Sequence, residues 1–154
     1  MSKTFQLQPL IELTQSQTDA AAVRLGVAQV EVDDSEKKLA LLLQYRQEYQ
    51  ARFRAAVERG LDAAGWRNFH EFMDKLDAAI EQQGEARVLA KNKAEHAQTD
   101  WCQRQVKLKA YDTLAQRHSE GELKRQGKLD QRDQDELAAR THAARRLASN
   151  QGTY

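Results

Sequence analysis

The sequence predicts an all-α protein: a long two-helix antiparallel coiled coil, or helical hairpin, with an additional C-terminal helical segment. Three observations carry the prediction. Stepping by sevens from Ile11 gives Thr18, Leu25, Val32, Leu39, Arg46 and Phe53, and from Thr14 gives Ala21, Ala28, Ser35, Leu42, Tyr49 and Ala56. These mostly apolar rows form the seam of a coiled coil. A single glycine-bounded stretch at 59–65 interrupts the period. Charged residues reach 31% against 6% aromatic, which leaves little apolar mass for a globular core. Abundant Ala, Leu, Gln, Glu, Lys and Arg favour helix instead.

The predicted elements make one coiled-coil domain spanning 1–154. Residues 1–9 form a short polar leader, frayed in isolation, in which Pro9 precedes a helix without breaking it. Helix 1 covers about 10–58. At about 1.5 Å per residue it is roughly 70 Å long, more than a compact domain of this size holds, so the expected molecule is a rod. Gly26 and the Asp33-Asp34-Ser35 run soften the helix without ending it. Residues 39–43 are apolar all round, so part of that run must face something other than the partner helix. In the turn at 59–65, Gly60 suits the left-handed position that ends a helix, with Asp62 and Gly65 ahead of the next start.

Helix 2 covers about 66–120. Trp66, Phe69, Phe72, Met73, Leu76, Ala79 and Ile80 resume the period, and Ala90, Ala94, Ala97, Trp101, Leu108, Tyr111 and Ala115 continue it. Gln83, Arg87 and Arg104 interrupt this seam with polar groups. A hairpin symmetric about the turn sets the small residues of 86–97 against those of 21–28, and that less apolar end is expected to be the less stable one. Between His118 and Lys128 the period decays, with Gly121 and Gly127 weakening the helix. The C-terminal segment, about 130–148, carries Leu137, Ala138, Thr141, Ala144 and Ala148 at helical spacing behind Asp130 or Asp133 as a cap. It either pairs back along the open end of the rod or is ordered by a partner. Residues 149–154 read as a disordered tail.

Chemistry is disfavoured throughout. None of His70, His96, His118 and His142 is preceded three positions earlier by Glu, so the paired ligand set of a di-iron bundle is absent and no metal site is expected. No phosphate loop, dinucleotide fingerprint or nucleophile elbow occurs, so no catalytic residue, no cofactor and no enzymatic activity are expected. Cys102, beside Trp101, reads as an inert, buried or half-buried thiol in a reducing compartment. The net charge of +1 is interleaved rather than blocked, which disfavours nucleic acid as a partner. No apolar run approaches the roughly 20 residues that cross a bilayer, which predicts no direct membrane insertion and a cytoplasmic location.

The informative feature is an apolar and aromatic excess on the turn side. Two helices are too thin to bury Leu41, Leu42, Leu43, Tyr45, Tyr49, Phe53, Trp66, Phe69, Phe72 and Met73 together, so some of them form an exposed partner-binding patch. The alternative is that all fold inward with help from the C-terminal segment.

In order and spacing, the Leu42, Tyr45 and Tyr49 set, then Gly60, Trp66, Phe69, Phe72, Leu76 and the run 79–83 resemble the FliJ family. The likeness continues through Trp101, Leu108, Leu114 and Arg117 to 129–131 and 136–140, nearly the whole chain. The family is a soluble component of the bacterial flagellar type III export apparatus. What the resemblance implies is a stalk-like antiparallel coiled coil, similar to the central stalk of rotary ATP synthases, that enters the ring of the flagellar export ATPase hexamer. It would promote ring assembly and activity, and so flagellar assembly and motility. The implied further partners are the cytoplasmic domain of the export-gate protein and export chaperones, with peripheral attachment to the inner-membrane export apparatus through them. Leu42, Tyr45, Tyr49, Phe72, Leu76 and Ala79 match the face that meets the gate, while Lys38 and Gln83 at its edges depart from the family pattern. The alternatives are a general chaperone or chaperone-escort for flagellar export substrates, the equivalent stalk protein of a virulence injectisome, and a generic dimerising coiled coil.

Overall fold

A computed structural model of the chain describes residues 4–152. It contains two helices, α1 (Thr4–Arg59) and α2 (Ala63–Asn150), and no strand among the described residues. The chain divides into two units, Gln15–Val106 and the pair Met1–Thr14 with Lys107–Tyr154.

The unit Gln15–Val106 is an antiparallel helical hairpin whose seam follows the heptad rows. Every position of both rows from Thr18 to Ala56 is buried or half-buried. Opposite them, Phe69, Met73, Leu76, Ile80, Gln83, Arg87, Ala90, Ala94, Ala97, Trp101 and Arg104 are withdrawn from solvent at alternating steps of four and three. The small-residue stretch of α1 pairs about one turn further along α2 than 86–97. Arg24 lies 3.2 Å from Asp100, Thr18 Oγ1 donates to the Arg104 carbonyl at 3.4 Å, and Leu25, Gln29 and Val32 share a surface groove with Lys91, Ala94 and Gln98.

Polar groups punctuate the seam. Arg46 Nε and Asp77 Oδ1 are 2.7 Å apart. Gln83 Nε2 donates to both the carbonyl and the Oγ of Ser35 at 3.1 Å, while Arg87 and Lys91 meet the Glu36 carboxylate at 3.4 and 3.6 Å. Arg104 Nε pairs with Asp100 at 3.0 Å and its Nη1 donates to Gln17 at 3.4 Å. Surface pairs of this kind contribute about 0–1 kcal/mol each, so their value lies in specifying register.

The turn is tighter than the 59–65 expected. Gly60 takes φ +95°, which ends α1, and its N–H donates to the Val57 carbonyl at 3.1 Å. Asp62 caps α2, its Oδ1 accepting from Gly65 N–H at 2.8 Å, and Gly65 therefore lies inside the first turn of the helix. A Cβ on Gly65 would come within 2.7 Å of the Leu61 side chain, so a larger residue there requires that side chain to move.

Other boundaries also move. α1 starts at Thr4 rather than about 10 and takes in Pro9, whose missing N–H leaves the Phe5 carbonyl without its helical donor. Leu7, one heptad before Thr14, is half-buried and extends the seam upstream. Residues 1–3 lie outside the described residues. In the second unit, Leu7, Ile11 and Thr14 of α1 and Leu108, Tyr111, Ala115, His118 and Glu122 of α2 are the withdrawn positions.

The C-terminal segment is no separate element, because α2 continues through Gly121 and Gly127. Each glycine costs about 1 kcal/mol, but no competing contact rewards a break, and side-chain pairs one turn apart support the helix. Gln126 bonds Asp130, Gln131 bonds Asp135, and Arg140 meets Glu136 at 3.1 Å. Nor does this segment pair back, since every described residue from 123 onward is exposed. Of the expected disordered tail, 149–150 are helical, 151–152 form a turn, and 153–154 lie outside the described residues.

Two outcomes follow from these contacts. No atom stands within 4 Å of a Cβ built on Gly60, so Gly60→Ala should cost only its backbone strain, about 1 kcal/mol in denaturant unfolding. For Asp100, partial desolvation raises the carboxyl pKa, but hydrogen bonds and charges from Arg24 and Arg104 outweigh it and hold the group below the ordinary 3.8. Its contribution is present above the unfolded pKa and lost as pH falls through the depressed folded one. Thermal melting should therefore weaken below about pH 4, and Asp100→Asn should flatten that acid limb.

Candidate partner-binding surface

An aromatic stack stands next to the turn because the seam rows of both helices carry rings there. Phe53 and Phe69 lie face to face at 3.6 Å, and Trp66 meets the edge of Phe53 at 4.9 Å. Tyr49 stacks on Phe69 at 5.2 Å and tilts against Phe72 at 4.3 Å, while His70 lies against Trp66 at 5.5 Å. Offset and edge-on ring pairs each add about 0.5–1.5 kcal/mol beyond burial, so this stack holds the turn end of the hairpin.

The six residues carried over from the family face separate by depth. Tyr45 and Phe72 stand in solvent, 56% and 46% exposed. Leu42, Tyr49 and Ala79 are half-buried at the rim of the seam, and Leu76, 9% exposed, is inside it. Leu41 and Leu43 are exposed, so the all-round apolar run does face outward as well as inward. The C-terminal segment, in the other unit, is exposed along its own length. Of the two edge residues, Lys38 is exposed and Gln83 is engaged with Ser35.

Sequence reasoning overlooked a shallow groove beside this patch. It encloses about 200 Å³ and is lined by Tyr49, Arg52, Phe53, Ala56, Leu61, Gly65, Asn68 and Phe69. Its lining joins seam residues of α1 to Leu61 and Gly65 of the turn end, a juxtaposition that helical spacing alone does not display. Cys102 departs from the expected burial: it is exposed, with a free thiol. Among the described residues there is no cluster of three or more His, Cys, Asp or Glu side chains that would hold a metal ion, and no helix long and apolar enough to cross a membrane.

Comparison with known proteins bears on this geometry. The model of the family described as Flagellar FliJ protein matches residues 2–147. The chain is similar to the Flagellar FliJ protein of Salmonella typhi, 28% identical over 134 residues that cover 87% of this chain and 91% of that one. It is similar to the Flagellar FliJ protein of Escherichia coli (strain K12) to the same extent.

The difference in depth between the two tyrosines predicts different costs. Tyr45→Ala should leave stability within about 0.5 kcal/mol, whereas Tyr49→Ala should lose about 1–3 kcal/mol by removing two ring contacts, as read by urea unfolding followed at 222 nm.

Proposed function

The chain belongs to the FliJ family of flagellar proteins, and from that membership we propose that it is a component of the flagellar type III protein export apparatus. In this reading it is a stalk-like coiled coil that enters the ring of the export ATPase, promotes ring assembly and ATP hydrolysis, and links the ring to the export gate. The observation that carries the reading is the family match along 2–147, together with the agreement of the heptad seam with a two-stranded stalk.

Two features of the fold support it. Residues 123–150 of α2 form a helix in which every position is open to a surrounding protein surface, as insertion into a ring requires. On the other unit, Tyr45 and Phe72 offer exposed rings held in place by Leu42, Tyr49, Leu76 and Ala79. Rigid aromatic side chains of that kind are enriched at protein interfaces, because they cover much area for little lost entropy. In this reading Tyr45 and Phe72 make the gate contact, with Leu42, Tyr49, Leu76 and Ala79 positioning them. Export chaperones remain a further class of partner in this reading, and the location is the cytoplasmic face of the export apparatus.

The test is the ATPase rate of the export ATPase from the same organism against added protein, with ring formation followed by electron microscopy. Faster hydrolysis with more hexamers is the expected result. No change in either, with the protein shown to be helical, overturns the stalk role and leaves the gate or chaperone role.

A further inference from the structure

α1 is apolar on two sides. Opposite the seam, Ala20, Val23, Val27 and Val30 follow one another at steps of three, four and three. The valines are 67%, 57% and 58% exposed. β-branched residues are mediocre helix formers, so helix propensity does not account for three of them on an outer face. The flanks of this stripe are acidic, with Asp19, Glu31, Asp33 and Asp34, and the one base among them, Arg24, is paired with Asp100. Two such stripes pressed together would set acid against acid.

The chain carries a second uncovered surface of the opposite character. On the exposed run beyond 122, Leu137, Thr141, Ala144 and Ala148 recur at steps of four and three. Arg140 and Arg145 flank this row, Asp133 stands ahead of it, and no acidic residue follows Glu136.

We propose that the outer face of α1 at 19–34 is a docking surface for the C-terminal run 133–148 of a second copy of this chain, the two helices lying parallel. The signs of the charges decide the orientation. With Val27 opposite Leu137 in parallel, Arg24 falls beside Asp133, and Glu31, Asp33 and Asp34 fall beside Arg140 and Arg145. The antiparallel arrangement about the same central pair brings Asp19 to Arg145 but sets Arg24 against Arg140 and Glu31 against Asp133, two like-charge pairs that the parallel one avoids. Opposite flanking charges select the partner and orientation of packed helices, and like charges reject the alternative. Each copy presents both surfaces, and in the proposed assembly two copies exchange them about a two-fold axis. The proposal does not rest on the export role, but the run 133–148 lies within the helix which that role inserts into the ring, so a copy docked in this way has that run covered.

Sedimentation equilibrium of the full chain at low and high salt is the test. A concentration-dependent dimer is expected, weakened about tenfold or more at high salt because the flanking charges are exposed. Glu31→Lys with Asp33→Lys and Asp34→Lys should yield a monomer, as should Arg140→Glu with Arg145→Glu in a separate protein. Mixing the two should restore a dimer, since each mismatched surface then meets its complement. All five positions are exposed, and circular dichroism of each variant shows whether its helices persist. A second readout uses Cys102→Ser protein carrying either Val27→Cys or Leu137→Cys. Oxidation of the mixture should link the two chains, while Val27→Cys alone should not self-link. A chain that stays monomeric at its highest soluble concentration overturns the proposal. So does a dimer indifferent to both charge reversals, or a disulfide formed within one chain carrying both cysteines.

Discussion

A pair of helices buries one stripe of each and leaves the rest in water. In this chain that stripe is thin: the apolar residues withdrawn from solvent most completely are Ala21, Ala28, Met73, Leu76 and Ala90, and three of the five are alanines. At about 25 cal/mol per Å² of apolar surface, a layer of alanine against alanine contributes far less than a layer of leucines. Stability is therefore distributed unevenly along the hairpin. It is concentrated where Phe53, Phe69, Trp66 and Tyr49 stack beside the turn, and diluted toward residues 21–28.

A seam of small residues has a second weakness, since one alanine layer resembles the next and slides past it at little cost. The polar groups answer this. Gln83 finds both a carbonyl and a hydroxyl at Ser35, and Arg104 reaches Asp100 while its own carbonyl accepts from Thr18. A slip of one heptad would leave these half-buried donors and acceptors mismatched, a penalty of about 1–3 kcal/mol for each group stranded away from water. Arg46 and Asp77 do the same nearer the turn, where the ring stack alone already disfavours slippage.

Much of this was legible in the sequence, because a period of seven persists over many turns and a helix has few ways to satisfy it. Every heptad-row position of α1 from Ile11 to Ala56 is withdrawn, with only Glu36 and Gln50 withdrawn outside the rows, and Gly60 announced its positive φ. Boundaries were less legible, since they depend on small local balances. Gly65 reads as a residue between helices, yet Asp62 caps α2 three residues earlier and the Leu61 side chain claims the space beside it. Gly121 and Gly127 read as weakening the helix ahead of a further segment, although α2 continues through both. Within the candidate surface, Tyr45 and Tyr49 have helical spacing and look equivalent. Only their heptad positions distinguish them: Tyr49 sits in the seam row with Leu42, and Tyr45 sits one place before the other row. The outward valines of α1 are illegible for a related reason, since the heptad rows account for the seam and leave the outer positions unspecified.

The exposed run 123–150 shows how such a surface persists without covering. An isolated helix of this length is marginal in water because the first turn must be nucleated at the expense of backbone entropy. Here residues 63–122 supply the nucleus, and each further residue adds a hydrogen bond to a helix already formed. Charged and amide pairs one turn apart, such as Glu136 with Arg140, then maintain it. The run is thus ordered in advance of any partner, and binding it forgoes most of the ordering entropy that a disordered segment would lose on docking. The same reasoning applies to Tyr45 and Phe72, whose backbones are fixed by the seam beneath them. Two paired helices bury only the seam between them. What they offer is preorganised exterior, and the positions where apolar side chains stay uncovered at helical spacing are where their specificity has to reside.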